Sequence, residues 1–147
     1  MENKKPLTLI KIGGNIIDNP IELAQFLSDF SKIEGYKVLV HGGGKSATKM
    51  ATSIGLVPQM IDGRRITDAA MLDVVVMIYA GQINKDIVAQ LQANNTNAMG
   101  FSGADGNLIQ STKRNHPTID YGFVGDVQKV NTTLLETLIS NGIVPVF

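Results

Sequence analysis

Two apolar runs, Leu7-Thr8-Leu9-Ile10-Lys11-Ile12 and Lys37-Val38-Leu39-Val40-His41, each end in glycines: Gly13-Gly14 after the first, Gly42-Gly43-Gly44 after the second. The residues between the runs carry a helical pattern, so the pair reads as a β-α-β unit. Such a crossover makes the two strands parallel and sends both carboxyl ends to one edge of a single sheet. If the strands are neighbours, the two glycine clusters stand about 5–10 Å apart. Glycine lets the main chain come close to a ligand and turn its N–H groups toward it. Two such loops, one with Lys11 beside it, predict a site that holds phosphate and carboxylate together.

The 147 residues are enough for one ordinary domain with a sizeable core. Thirteen basic residues balance thirteen acidic ones, and Lys113-Arg114 is the nearest approach to a basic patch. Nucleic acid is therefore not an expected partner. No apolar stretch is long enough to span a bilayer, so no membrane association is expected. The polar start, Met1 to Pro6, lacks the apolar core of an export signal, which makes the cytoplasm the expected location. The absence of cysteine excludes disulfides and thiolate metal sites. Gly142-Ile-Val-Pro-Val-Phe147 reads as a buried strand just beginning, and predicts that the chain is one portion of something longer.

Asn19-Pro20 predicts a helix start, with Ile21, Leu23, Ala24, Phe26, Leu27 and Phe30 at helical spacing and Gly35 as the stop. A second helix opens from the triple glycine and buries Ala47, Met50, Ala51 and Ile54, ending at Gly55. Extended pieces at 57–61 and 64–67 meet at Asp62-Gly63, a hairpin signal. Thr67 or Asp68 then caps a long helical segment reaching about Asn94, apolar nearly all round between Ala69 and Ala80. A helix covered on one side shows a polar stripe. Both faces are therefore expected to be buried, by a second subunit or by the chain itself. Extended pieces follow at 97–102, 108–112 and 122–130, a glycine-rich turn at 103–106, and a helix at 132–141. Alternating strands and helices predict an α/β fold, a three-layer α-β-α sandwich with a mainly parallel sheet. Ligands of such sheets bind at the carboxyl ends of strands.

His41-Gly-Gly-Gly-Lys-Ser-Ala-Thr48 is not a P-loop, because the required first glycine would fall at Leu39, inside the strand. Gly42, Gly44 and Ala47 satisfy a dinucleotide fingerprint, but its ribose-binding acid would be Asp62, which sits in the expected hairpin turn. A third reading takes both loops together. Lys11-Ile-Gly-Gly-Asn15, His41-Gly-Gly-Gly44 and Gly63-Arg-Arg-Ile-Thr67, in this order and spacing, resemble the amino-acid kinase family. Ser102-Gly-Ala-Asp-Gly-Asn-Leu108 and Asp120-Tyr-Gly-Phe-Val-Gly-Asp-Val127 extend the resemblance over nearly the whole chain. It is strongest to those members that phosphorylate N-acetyl-L-glutamate.

The resemblance implies ATP-dependent phosphorylation of the side-chain carboxylate of N-acetyl-L-glutamate, a step of arginine biosynthesis, with Mg2+ carried by the nucleotide. It implies Lys11 as the catalytic cation on the transferring phosphoryl group, and Gly13 and Gly14 as phosphate-binding amides. Gly43 and Gly44 would hold the reacting carboxylate and Arg65 the α-carboxylate. Arg64 is expected to be a solvated hairpin charge, His41 a structural histidine and His116 an ordinary loop residue. Asp105, Asp120 and Asp126 sit in turn-like sequence and are not expected to bind a metal. N-Succinylglutamate, a carrier-linked aminoadipate, or a non-catalytic role in binding small carboxylates remain open.

Family members carry a second lobe with most of the nucleotide site, and its motifs do not occur among these residues. Residues 1–147 therefore correspond to the amino-terminal, acyl-amino-acid-binding lobe, without the nucleotide-binding lobe. By itself this lobe is expected to be inactive. A homodimer through the helix around Met71–Ala80 is expected. Arginine-inhibited members carry an extra amino-terminal helix; six residues precede Leu7 here, so insensitivity to arginine is expected.

Overall fold

A computed structural model describes residues 6–147; the polar start at Met1–Lys5 lies outside them. The centre is a four-stranded sheet in the order β1-β2-β8-β5, formed by β1 (Leu7–Ile12), β2 (Tyr36–His41), β5 (Ala98–Gly100) and β8 (Val144–Val146). All its pairings are parallel. The β1–β2 ladder runs from Leu7 opposite Tyr36 to Ile12 opposite His41.

Right-handed crossovers fix the layers. The steps from β1 to β2 and from β2 to β5 run in one direction across the sheet, whereas β5 to β8 steps back. Their connecting helices therefore fall on opposite faces. On the first face lie α2 (Pro20–Ser31) and α5 (Asn84–Ala93), whose Leu23, Leu27, Phe30, Ile87 and Leu91 pack with Ile12, Leu39, Val144 and Val146. On the second lies α6 (Thr132–Ser140), packed on β2 and β8. The result is the expected three-layer sandwich. The second layer is thin: Leu7, Leu9 and Met99 remain about half exposed.

Local signals act as expected at the element ends. Asn19 Oδ1 accepts from the amides of Ile21 and Glu22 at 3.1 and 3.3 Å, capping α2. At the other end of α2, the buried Lys37 ammonium donates to the carbonyls of Phe30, Ser31 and Ile33. Asp62 and Gly63 take φ values of 49° and 74° between β3 (Gln59–Ile61) and β4 (Arg64–Ile66), the left-handed pair that a tight hairpin turn requires. A second hairpin joins β6 (Ile109–Lys113) to β7 (Gly125–Val130), a shorter strand than the expected 122–130.

The long helical segment is where sequence and structure differ most. After α4 (Ala69–Val75), capped by Asp68, the chain widens into a π-helix over Val76–Ile83 before α5 resumes. Its coverage is one-sided within the chain. Met71, Val74, Ile78 and Ile83 are buried, while Val76 and Met77 are 53% and 55% exposed. An apolar sequence on every side thus reflects a core face plus an uncovered apolar face. No helix among the described residues is long and apolar enough to cross a membrane.

Candidate functional site

Both glycine loops leave the sheet at the same edge, as parallel strands require. Ile12 stands opposite His41, and the Gly42 amide donates to Ile12 O at 3.2 Å, one step beyond the ladder. After Gly13 the chain makes a single helical turn, α1 (Gly14–Ile17), which the sequence did not announce. After Gly43 it enters α3 (Gly44–Ser53), with no side-chain cap. Three contacts tie the loops together: Lys45 Nζ donates to Asn15 Oδ1 at 3.1 Å, Ser46 Oγ to Asp18 Oδ1 at 3.2 Å, and Lys45 pairs with Asp18 at 3.8 Å. Asn15, Lys45 and Ser46 stand in the glycine motifs read from the sequence, but their pairing was not expected, because partners 28 and 30 residues apart leave no local signal.

Lys11 lies opposite Val40, on the exposed side of β1. Its ammonium curls over the first loop: a Cβ at Gly13 would lie 3.9 Å from Nζ. It makes no hydrogen bond or ion pair among the described residues. Lys11, Gly13 and Gly14 are thereby brought to one corner.

At the second loop, the first four amides of a helix have no intrahelical partner, and the dipole there favours an anion. Gly43 is closely packed. A Cβ on it would come 2.6 Å from Ile83 Cδ1 and 2.9 Å from Tyr79 Cε1, both from the π-helix. Arg65, on β4, reaches the first turn of α3 across the hairpin. Its Nη2 donates to Gly44 O at 3.0 Å and Thr48 Oγ1 at 2.8 Å, and Nη1 approaches the Met71 sulfur at 3.8 Å. Gly43, Gly44 and Arg65 therefore form one cluster. Arg64 points elsewhere, near enough to Asp126 to help hold that carboxyl below its usual range, after the hydrogen bond from Arg114.

His41 is half-buried, and burial pushes its imidazole below the usual histidine range, against the raising effect of its bond to Gly42 O. Nδ1 lies 2.8 Å from Gly42 O and Nε2 3.2 Å from Asn84 Nδ2. The neutral tautomer protonated at Nδ1 satisfies both contacts, one as donor and one as acceptor. Asn84, fully buried at the start of α5, also donates to Val146 O at 3.0 Å, and so links β2 to β8. Neither Asn84 nor Tyr79 was singled out from the sequence.

The later motifs are structural where they touch the site. Gly122, at φ 71°, packs against the Thr67 carbonyl, and Thr67 exchanges main-chain bonds with Tyr121 and Phe123 at 3.0 and 2.7 Å. That contact anchors the end of the Arg65 hairpin. Asp105 accepts from Ser102 N and Oγ, and these bonds hold its carboxyl below the usual range. Lys113 and the Gly122 amide do the same for Asp120. No group of three or more His, Cys, Asp or Glu side chains among the described residues is placed to hold a metal. A cleft of about 500 Å³ lies between α2, α3 and the π-helix, and none of Lys11, Gly13, Gly14, Gly43, Gly44 or Arg65 lines it.

The model of the amino acid kinase family matches residues 6–147. The chain is similar to the acetylglutamate kinase of Phocaeicola vulgatus, 57% identical over 143 residues, covering 97% of this chain and 56% of that protein. The acetylglutamate kinase of Parabacteroides distasonis is 59% identical over 140 residues, covering 95% of this chain and 55% of its own length. The chain thus spans about half the length of the curated relatives it matches. Among solved structures, N-acetylglutamate synthase from Neisseria gonorrhoeae, complexed with coenzyme A and N-acetyl-glutamate, superimposes with a TM-score of 0.78. Its identity is 20%, over 95% of this chain and 32% of that one. A protein from Streptococcus mutans UA159 gives a TM-score of 0.77 at 22% identity, over 96% and 57% of the two chains. At such identities these likenesses speak to the fold alone.

Proposed function

Because this chain belongs to the amino acid kinase family, we propose that it supplies the substrate half-site of an acetylglutamate kinase. The reaction would carry the γ-phosphoryl group of ATP to the side-chain carboxylate of N-acetyl-L-glutamate. The observation that carries this reading is the cluster at α3, where uncapped amides at Gly43 and Gly44 sit beside the Arg65 guanidinium.

The chemistry asks for charge control more than for proton transfer. A carboxylate is already ionised near pH 7, so no general base is needed. His41, neutral and engaged on both ring nitrogens, fits a structural role. Two unit charges about 4 Å apart repel by roughly 4 kcal/mol at an effective dielectric near 20, and the phosphate tail carries several. Positioning and neutralisation must therefore supply most of the catalysis. The Gly43 and Gly44 amides hold the reacting carboxylate at the positive end of α3. Arg65 takes the α-carboxylate, which is a far stronger acceptor than the Met71 thioether and displaces it. The Lys11 ammonium, without a partner among the described residues, faces the transferring phosphoryl group, with the Gly13 and Gly14 backbone beneath it. ATP is the phosphoryl donor, and the charges on its tail are matched by Mg2+ that it brings.

The isolated chain is expected to keep the acyl-amino-acid site and to turn over little or no ATP, since its relatives are nearly twice as long. A homodimer through the helix around Met71–Ala80 belongs to the same reading, supported by exposed Val76 and Met77. Sedimentation of Met77→Glu against the unaltered chain tests it; identical masses would remove it.

Calorimetric titration with N-acetyl-L-glutamate and with ATP separately tests the half-site. Binding of the acylated amino acid with weak or absent binding of ATP is expected. Tight ATP binding without the amino acid would overturn the reading. N-Succinylglutamate and an aminoadipate analogue in the same titration rank the acyl groups.

A further inference from the structure

We propose that Tyr79 is a substrate-contacting residue, whose phenol O–H donates a hydrogen bond to the carboxylate seated on the Gly43 and Gly44 amides. This assignment rests on the half-site reading above and adds a specificity residue to it.

Three observations converge on this side chain. The first is position. The π-helix brings Tyr79 and Ile83 against the second glycine loop, where a Cβ built on Gly43 would lie 2.9 and 3.0 Å from Tyr79 Cε1 and Cδ1. A Cβ on Gly44 would lie 3.6 Å from the Tyr79 hydroxyl oxygen. The ring thus lies along the main chain that offers the amides, and its polar end reaches the second glycine. π-Helical segments inside longer helices recur at functional sites because they re-aim side chains.

The second is an unspent donor. A half-buried tyrosine hydroxyl normally finds a partner. This one bonds no group among the described residues and stays open to solvent, so a ligand can reach it. The third is that its polar neighbours are already bonded to other groups. Tyr79 lines a cavity of about 210 Å³ together with His41, Asn84 and Ser102. His41 is bonded to Gly42 O and Asn84, Asn84 to Val146 O and Lys85, and Ser102 to Asp105. Every other polar side chain around that cavity already has a partner, which leaves the hydroxyl available to a carboxylate held on the adjacent Gly43 and Gly44 amides.

Such a bond forms with the bound carboxylate rather than with the leaving nucleotide, so it acts on affinity for the acylated amino acid. It also senses charge. A phenol O–H bonds more strongly to a carboxylate than to a neutral amide.

Tyr79→Phe keeps the ring against Gly43 and deletes only the hydroxyl. The test is calorimetric titration of the unaltered chain and this variant with N-acetyl-L-glutamate and with N-acetyl-L-glutamine, after thermal melts show equal stability. The proposal expects the variant to bind N-acetyl-L-glutamate about tenfold or more weakly, the range for a hydrogen bond to a charged group. It expects little change for N-acetyl-L-glutamine. Unchanged affinity for N-acetyl-L-glutamate, or equal loss for both ligands, overturns the role of Tyr79 and leaves the half-site standing. If the unaltered chain binds neither ligand, the half-site reading itself fails and Tyr79 falls with it. Should the variant melt lower, Tyr79→Leu is the second comparison. A Leu variant as tight as the unaltered chain contradicts the proposal.

Discussion

Arg65 Nη2 donates to the carbonyl of Gly44 at 3.0 Å, so a strand of the β3–β4 hairpin is fastened to the first turn of α3 by the residue proposed to bind the α-carboxylate. A guanidinium can hold Gly44 and Thr48 through one nitrogen and still present N–H groups to a ligand, whereas an ammonium cannot match that fork. Arg65→Lys is therefore expected to weaken N-acetyl-L-glutamate binding by roughly 10- to 100-fold, the scale of one charge-assisted bond. Calorimetry checks it. An affinity within twofold of the unaltered chain would remove Arg65 from the site.

Much of this arrangement was legible because its signals are local. The β-α-β reading needed only two apolar runs and their glycines, and the ladder from Leu7–Tyr36 to Ile12–His41 follows from it. The Asn19 cap and the Asp62-Gly63 turn are properties of adjacent residues. What escaped depends on distance along the chain. Insertion of β8 between β2 and β5 brings Val146 within 3.0 Å of Asn84, 62 residues earlier. The π-helix escaped for another reason. A run as apolar as Val74 to Tyr79 fits a helix of any pitch, so hydrophobic spacing could not report where the turn widens.

The contact between Gly43 and the π-helix predicts a compensating pair. Gly43→Ala would force its methyl to 2.6 Å from Ile83 Cδ1, and overpacking of this kind costs about 1–3 kcal/mol. Ile83→Val deletes that atom. Thermal melts of the two single variants and the double variant are expected to show partial rescue, with the double variant more stable than Gly43→Ala. Strictly additive losses would mean that the two residues do not press on one another.

Asn84 is the buried amide that joins three elements, and its loss strands two acceptors, Val146 O and His41 Nε2. Leaving such groups unpaired costs about 1–3 kcal/mol each. Asn84→Leu is expected to lower the urea midpoint by an amount worth roughly 2 kcal/mol or more. An unchanged midpoint would show that water or a shifted backbone satisfies both groups.

His41 predicts a pH dependence of stability with a definite sign. Burial, the larger influence, lowers its pKa in the folded chain from the ordinary value near 6.5. Between the folded value and 6.5 the unfolded chain then binds more protons, so this contribution is complete above 6.5 and is lost as pH falls through that window. Asp29, Asp105, Asp120 and Asp126 are also lowered, from 3.8, and their contributions fade only in more acidic solution. Melting temperatures between pH 7.5 and 5 are expected to fall for the unaltered chain and to flatten in His41→Gln. Equal slopes would assign the dependence to another group.

The account stands on two glycine loops, Lys11 and Arg65 meeting at one edge of the sheet to hold an acylated amino acid. Amide chemical-shift mapping of the 15N-labelled chain, titrated with N-acetyl-L-glutamate, reads that edge residue by residue. The predicted result is a saturable response largest at the amides of Gly43 and Gly44 and at the Arg65 side chain, with the Lys113–Asp120 loop unmoved. Shifts centred on that loop or on the cleft behind α3, with Gly43 and Gly44 silent, would contradict it.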